Sequence, residues 1–385
     1  MIEYRAKSGL VIGAVALLSL LALFAVENSK RDVRLKWYNE KLKAAQLAQK
    51  AEEYLKQCRL EKGVFIETVN DPNETSLIGQ EFTPLTTDRG DIDAKLSSLN
   101  PNMAAAVVQY LKEAGVSRND PVAIAFTGSF RAMNISVMAA VEVLQLRPLI
   151  ISSVGSSNFG ANDPNWTWLD MESALYQRGI FLHRSMAASI GGGQDIGRGL
   201  SPEGRSMILA AIGRNQIPLI SEENLGKSIN KRMEWYEKNS RGRPIRAFIN
   251  VGGGIASLGH MVNADLLPSG LIMDFPEMNF PVRGVIVRMG QKKIPVIQLV
   301  NIKEILKMNQ LPFCPEPLPE PGNGGIFVNK KYNLWVTVPA LTILLISVVL
   351  IYLLERKYHR LGSDIISPDE TTPKKEKSDD MLMEL

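Results

Sequence analysis

Residues 122–136 read VAIAFTGSFRAMNIS, and this stretch decides the class of fold. Its first five residues are all apolar, as in a strand that is buried on both faces of a sheet. Its last residues place apolar side chains at helical spacing, so an amphipathic helix is predicted directly after the Thr-Gly-Ser turn. A buried strand that turns at once into a helix is typical of the parallel sheets of α/β proteins.

The same alternation of buried strands and amphipathic helices continues along the chain. Strands are predicted at 122–126, 148–154, 247–251 and 294–300, with a further apolar run at 217–220. Helices are predicted at 101–115, 132–145, 168–179, 201–215, 222–239 and 302–309. The predicted fold is therefore α/β, with a parallel sheet, helices on both of its faces, and transmembrane helices flanking it at the N- and C-terminal ends.

Two uncharged apolar blocks, residues 10–26 and 334–354, are long enough to span a bilayer. The first is interpreted as an uncleaved anchor rather than a signal peptide, because no pair of small residues follows it at cleavage spacing. Arg356, Lys357 and Arg360 after the second block predict a cytoplasmic tail and an extracytoplasmic main domain. The cations that follow the first block favour the opposite orientation.

The expected organisation has seven parts. They are an N-terminal cytoplasmic segment (1–9), a first transmembrane helix (10–26), an amphipathic juxtamembrane helix (27–62), an α/β domain (63–311), a Pro/Gly-rich linker (312–333), a second transmembrane helix (334–354) and a charged tail (355–385). The juxtamembrane helix either forms a coiled-coil stalk or packs on its own domain. Cys58 and Cys314 can pair outside the cytoplasm, but their spacing does not decide it.

The charge and the Cys and His content of the chain limit the classes of ligand and cofactor that are expected. The net charge of +4 is compatible with a polyanionic ligand without indicating one. No spacing of Cys and His indicates a zinc site, and neither a metal nor another cofactor is predicted. No nucleic-acid partner is expected.

Polar residues gather at the predicted strand ends, where ligands of parallel sheets bind. The candidate ligand-binding residues are Thr127, Gly128, Asn134, Asn158, Arg198, Gly252, Gly253 and Gly254. The candidate catalytic residues are Ser129 as a nucleophile, and Asp170 and Asp195 as acid/base groups. Each acid has a simpler alternative, since Asp170 can stabilise a helix N-terminus and Asp195 can pair locally with Arg198.

Three motif matches are incomplete. Thr127 and Arg131 stand where a nucleophile elbow around Ser129 needs small residues, so the turn is interpreted either as an anion-receiving site or as a helix cap made by Thr127 or Ser129. The Walker A near-match SEENLGKS, residues 221–228, lacks its first glycine and is interpreted as part of an ordinary helix. The triglycine at 252–254 resembles a dinucleotide fingerprint only weakly, and favours a tight turn.

Five segments together resemble the poly-gamma-glutamate system proteins, a membrane-anchored group associated with genes for poly-gamma-glutamate synthesis and export. The segments read LIGQEFTPLTTDRGDIDAKLSSLNPNMAA, AFTGSFRAMNISVMAA, SSNFGANDPNWTWLDME, GGGQDIGRGLSPEGR and NVGGGIASLG. The resemblance implies a cell-membrane accessory component of that system, with the anionic polymer, other membrane proteins of the system and the lipid bilayer as partners. The alternative is a membrane-tethered hydrolase or transferase that acts on the amide bonds of the polymer. No catalytic residues are carried over, so the resemblance implies a process and not a reaction.

Overall fold

The computed structural model describes residues 9–63 and 66–364. Nearly all of the predicted N-terminal segment and most of the predicted charged tail therefore lie outside the described residues. The chain divides into two compact units, one of Arg34–Asn329 and one that combines Met1–Val33 with Lys330–Leu385. The larger unit thus includes most of the predicted juxtamembrane helix (27–62) and of the predicted Pro/Gly-rich linker (312–333), together with the predicted α/β domain.

The helices and strands follow in chain order. The helices are α1 (Gly9–Asn28), α2 (Tyr38–Glu61), α3 (Ile92–Ser98), α4 (Met103–Glu113), α5 (Arg131–Val143), α6 (Trp168–Gln177), α7 (Pro202–Arg214), α8 (Leu225–Ser240), α9 (Ile255–Leu258), α10 (Val262–Leu266), α11 (Val285–Gln291), α12 (Ile302–Met308) and α13 (Leu334–Asp364). The strands are β1 (Arg31–Arg34), β2 (Pro121–Thr127), β3 (Arg147–Ser153), β4 (Asn162–Asp163), β5 (Trp166–Thr167), β6 (Ala187–Ser189), β7 (Ala247–Val251), β8 (Gly270–Ile272), β9 (Val296–Leu299) and β10 (Val328–Lys331). A 3-10 turn, Gly128–Phe130, joins β2 to α5.

A six-stranded sheet with the order β6-β3-β2-β7-β9-β8 forms the centre of the larger unit. The first five strands of this order run parallel, and β2 is hydrogen bonded to both β3 and β7. The predicted α/β class is confirmed. The predicted parallel sheet is observed in part, because the sheet is mostly parallel but its edge strand β8 runs antiparallel to β9. Three residues are too few to show a strand pattern in a sequence.

Successive residues of β2 enter two separate clusters of buried side chains. Val122, Ile124 and Phe126 pack in the cluster that includes α2, α4, α5 and α6. Ala123 and Ala125 pack on the opposite face, in the cluster that includes α8 and α11. Because side chains alternate along a strand, these two clusters are the two covered faces of the sheet.

Helix α2 packs on α4 and α5 of its own unit through a stripe of buried small residues. The buried residues of this stripe are Ala44, Ala45, Ala48, Ala51 and Leu55. Lys41 adds hydrogen bonds from its Nζ to Gln109 Oε1 (2.8 Å) and to the carbonyl oxygen of Ile326 (3.0 Å). Of the two alternatives for this helix, packing on the domain is the one observed.

The side chain of Asn102 connects the Pro-rich segment to the rest of the larger unit. Asn102 donates to the carbonyl of Glu320 and accepts the amide of Gly322, both at 3.0 Å. Phe327, near the end of the segment, is fully buried. Cys58 and Cys314 are free thiols, and the Cys314 Sγ lies 3.4 Å from the Ser97 hydroxyl.

The smaller unit contains two helices that are long and apolar enough to cross a membrane, Gly9–Asn28 and the part Leu334–Leu354 of α13. The two helices contact one another. At their shared end the Tyr332 hydroxyl donates to Glu27 (2.9 Å), and the Lys30 ammonium lies over the Tyr332 ring. Two apolar helices near the chain ends agree with the sequence prediction.

Candidate functional site

A cleft of about 390 Å³ opens at the carboxyl ends of the parallel strands. Lining residues at or shortly after the ends of those strands include Thr127, Ser129, Ser153, Ser157, Gly253, Gly254 and Asn301. Strand ends of a parallel sheet converge at one edge, so residues distant in sequence meet here. The cleft is therefore the candidate functional site.

The turn after β2 forms one wall of the cleft. Gly128 is buried behind it, where an added Cβ would lie 2.5 Å from the carbonyl oxygen of Val154. Asn134, one helical turn along, donates from Nδ2 to the Thr127 carbonyl (2.9 Å). Gly128 and Asn134 thus fix the shape of the turn, while Thr127 and Ser129 face the cleft.

Neither hydroxyl of this turn caps a helix. The Thr127 hydroxyl donates to the carbonyl of Val251 on β7 (3.3 Å), and the Ser129 hydroxyl accepts the backbone N–H of Ser157 (3.0 Å). The capping alternative is therefore not observed for either residue.

The triglycine after β7 forms the opposite wall. Gly252 has φ +77°, and an added Cβ would lie 2.4 Å from the Thr127 hydroxyl, so only glycine fits without displacement. Gly253 and Gly254 line the cleft. Across residues 9–63 and 66–364, no hydrogen-bond acceptor meets the amides of these two glycines. The helix that follows, α9, has four residues, which is too short for a dinucleotide-binding helix.

A buried lysine lies directly behind a cleft-lining serine, and the sequence did not single out either residue. The buried Lys95, on α3, donates from Nζ to Ser157 Oγ (3.0 Å) and to the Ser129 carbonyl (2.5 Å). Burial, reinforced by the charge of Arg131, lowers the pKa of Lys95 to about 7, and Asp91 opposes this only in part. Both residues stand in segments quoted above, but no local pattern indicates that this lysine is buried.

Asn158 supports this pair from behind. It does not line the cleft; its Oδ1 accepts the amide of Gly90 (2.8 Å). An added Cβ at Gly90 would lie 2.8 Å from Ser157 Oγ and 3.0 Å from Lys95 Cε. The hydrogen bond from Gly90 to Asn158 therefore fixes Gly90 next to Ser157, where a larger residue would crowd the Ser157 hydroxyl.

Asp195 lies beneath the cleft in a buried ion pair. Its partner is Arg232 of α8 (3.0 Å), not Arg198, which was the local alternative, and both charged side chains are 1% exposed. The hydroxyls of Ser189 (2.7 Å) and Ser228 (2.5 Å) also donate to the carboxylate. With its oxygens engaged in this way, Asp195 acts as a structural anchor. Arg198 is exposed and does not line the cleft.

Asp170 does not line the cleft and is held by a different arginine. Arg214 contacts both of its oxygens, at 2.7 and 2.5 Å, and the Thr167 amide donates to it at 2.7 Å. Burial raises the pKa of Asp170, but the hydrogen bonds from Arg214, Asn215 and Thr167 outweigh this and hold the pKa below its ordinary value. A carboxylate so paired stabilises the start of α6, so we assign it no acid/base role.

The Walker A near-match forms the start of α8. The Asn224 side chain accepts the amide of Lys227 (3.0 Å) as a helix cap, and Lys227 pairs with Glu223. Ser228 points to Asp195 and not to a phosphate cradle. The interpretation as an ordinary helix is confirmed.

The rim of the cleft carries four exposed charges, two of each sign. They are Asp88, Arg89, Asp91 and Lys303. The rim therefore offers both signs of charge, while the backbones of Gly253 and Gly254 lie in the lining of the cleft.

No family model, curated protein or solved structure matches this chain. The site is therefore interpreted from its own geometry.

Proposed function

We propose that the chain is a membrane-anchored accessory component of poly-gamma-glutamate synthesis and export, and that its cleft binds the anionic polymer. The observation that carries the proposal is the strand-end cleft, in which the amides of Gly253 and Gly254 have no acceptor among the described residues. Backbone amides that converge at a sheet edge bind carboxylates and carbonyls well.

The mixed charges of the rim suit this polymer. Each gamma-glutamyl repeat carries one carboxylate and one amide, so it offers both a negative charge and an N–H donor. Arg89 and Lys303 attract the carboxylates, while Asp88 and Asp91 accept the amide N–H groups. A polyphosphate has no N–H donor to offer the same two acids.

The proposed position in the membrane is supported by the two apolar helices and by the cations after the second. We propose two membrane spans, with both chain ends in the cytoplasm and the α/β unit outside. In that orientation the cleft meets the polymer after it has left the cytoplasm, which is a position for export rather than for monomer activation.

Binding is tested with the full-length protein in detergent micelles and fluorescently labelled poly-gamma-glutamate, by fluorescence anisotropy. We expect salt-sensitive binding that weakens about threefold in Arg89→Gln and in Lys303→Gln, the usual size for an exposed charge contact. Arg118→Gln is the matched control, because Arg118 is exposed at the amino end of β2. Absence of binding, or equal losses in the control, would refute the proposal.

A second candidate function is a hydrolase or transferase acting on the amide bonds of the polymer. The version that uses Asp170 and Asp195 has no geometric support, because arginines hold both carboxylates. The observation that favours an enzyme is the contact between Lys95 and Ser157.

A further inference from the structure

We propose that Ser157 and Lys95 form a nucleophile and general-base pair for acyl transfer, acting on an amide or ester carbonyl held in the cleft. The inference deepens the proposed function, because its choice of substrate rests on what the cleft binds. It assigns a reaction to two residues that the sequence did not indicate.

The geometry places a base directly behind a cleft-lining hydroxyl. Lys95 Nζ is 3.0 Å from Ser157 Oγ, within proton-transfer distance, and Ser157 lines the cleft. Ser129 Oγ accepts the amide of Ser157, which fixes the backbone that carries the nucleophile. A serine activated by a lysine is an established variant of the serine-based acyl-transfer site.

Ser157, and not Ser129, is the hydroxyl next to the base. Lys95 contacts the backbone carbonyl of Ser129 and not its hydroxyl. The Ser129 hydroxyl already accepts a hydrogen bond from the Ser157 amide. Ser129 is therefore a positioning residue for Ser157.

The surroundings of Lys95 favour the uncharged amine that a base requires. Arg131 of α5 is buried next to it and disfavours the ammonium. Asp91, at the start of the same helix, and the Phe130 ring, 4.9 Å from Nζ, favour the ammonium but do not outweigh the effect of burial. No carboxylate is hydrogen bonded to Nζ within the described residues. Burial lowers the pKa of Lys95 to about 7, so near neutral pH a large fraction of the amine is free to accept a proton.

The reaction balances with water as the only co-reactant for hydrolysis. The neutral Lys95 amine takes the proton of Ser157 as Oγ attacks the carbonyl carbon, and the electron pair moves to the carbonyl oxygen. When the tetrahedral species collapses, the leaving amine takes the proton from the Lys95 ammonium, and an acyl ester remains on Oγ. Water, or an amine in a transfer reaction, then attacks the ester, gives its proton to Lys95, and Ser157 recovers it.

The test is covalent labelling of the full-length protein in micelles with a fluorophosphonate probe, read by intact mass and peptide mapping. Attack by Oγ on phosphorus releases fluoride, and the serine proton passes to Lys95. We expect a single adduct on Ser157, at a rate that rises with pH through about 7. Ser157→Ala should abolish the adduct, and Lys95→Met should slow labelling about 100-fold or more.

Three further variants distinguish catalysis from a structural role. Lys95→Arg keeps the positive charge but not a usable base, so it should label as slowly as Lys95→Met. Gly90→Ala should block labelling by crowding Ser157 Oγ. Ser206→Ala removes an exposed hydroxyl of α7 and should label like the wild type. If Lys95→Met fails to fold, two results still test the pair. The wild-type pH profile shows whether labelling depends on a group that titrates near 7, and Gly90→Ala shows whether the reactive hydroxyl is the one beside Gly90.

An unlabelled Ser157 in folded wild-type protein would overturn the inference, as would equal labelling rates in the wild type and Lys95→Arg. Poly-gamma-glutamate binding, measured in parallel on the same samples, separates this inference from the proposed function. Polymer binding without a Ser157 adduct refutes the catalytic pair and leaves the proposed function standing. A Ser157 adduct without polymer binding supports the pair and refutes the proposed function.

Discussion

Glu172 is fully enclosed on α6 and accepts hydrogen bonds from the amide and the hydroxyl of Ser185, at 2.9 and 3.0 Å. Burial raises the pKa of its carboxyl to about 7, and the Ser185 bonds and the charge of Arg184 offset this in part. The folded state therefore binds this proton more tightly than the unfolded chain does, whose ordinary Glu value is 4.5. Its contribution to stability is complete below about pH 4.5 and is lost as the pH rises through 7.

We predict that Glu172→Gln removes this pH dependence, because the isosteric amide has no proton to lose. The free energy of unfolding, measured by urea denaturation of the protein in micelles, should fall between pH 4.5 and pH 8 by on the order of 2 kcal/mol more in the wild type than in the variant. Identical pH profiles for the two proteins would contradict the assignment.

Asp195 and Arg232 differ from Glu172, because these two buried charged groups form an ion pair with each other. We predict that Arg232→Met lowers the free energy of unfolding by about 3–5 kcal/mol, because it leaves a carboxylate buried without its partner. The double variant Asp195→Asn with Arg232→Met should recover much of that loss. Arg214→Met breaks a pair whose arginine is 37% exposed, and should cost only about 1 kcal/mol. Equal losses in the two single variants, by urea denaturation, would refute this account.

The residues of the site are the feature that the sequence predicts least completely. It found the walls of the cleft, Thr127, Ser129, Gly253 and Gly254, because strand ends of a parallel sheet meet at one edge. It missed Lys95 and Ser157, because the burial of a side chain depends on contacts between distant segments. It offered Arg198 as one alternative partner for Asp195 and missed Arg232, since a partner 37 positions away leaves no local pattern.

At the scale of elements, the long periodic segments were predicted well. The strands β2, β3, β7 and β9 lie where continuous apolar runs indicated them, and α2, α4, α5, α6, α7, α8 and α12 lie where helical spacing of apolar residues indicated them. The short helices α3, α9, α10 and α11 were not predicted. The short edge strands β6 and β8 have three residues each and were not predicted. They form through pairing with a neighbouring strand, which a local pattern does not record.

The alanine stripe of α2 allows a close approach to α4 and α5, and this makes it sensitive to added volume. We predict that Ala48→Leu lowers the free energy of unfolding by about 1–3 kcal/mol, because Ala48 is fully buried. The matched control Gln46→Leu adds the same side chain on the exposed face of the helix and should change stability by less than about 0.5 kcal/mol. Thermal unfolding of the two variants side by side measures the difference. A stalk that did not pack on its domain would tolerate both changes equally.

For the whole molecule, the composition of the two apolar helices predicts membrane spans, while the side on which the α/β unit lies depends on flanking charges that disagree. We predict that a reporter active only outside the cytoplasm is inactive when fused after Arg360. The same reporter fused after Tyr332, before the second apolar helix, should be active. The reverse pattern would place the α/β unit in the cytoplasm and remove the export role.

Hydrogen exchange of the full-length protein, with and without poly-gamma-glutamate, tests most directly whether the strand-end cleft receives the polymer. The amides of Gly253 and Gly254 have no acceptor among the described residues, so they should exchange rapidly in the free protein. We predict that the polymer slows exchange in peptides covering residues 252–255 and leaves residues 117–120, at the amino end of β2, unchanged. No protection at 252–255, or equal protection at both ends of the sheet, would contradict the claim.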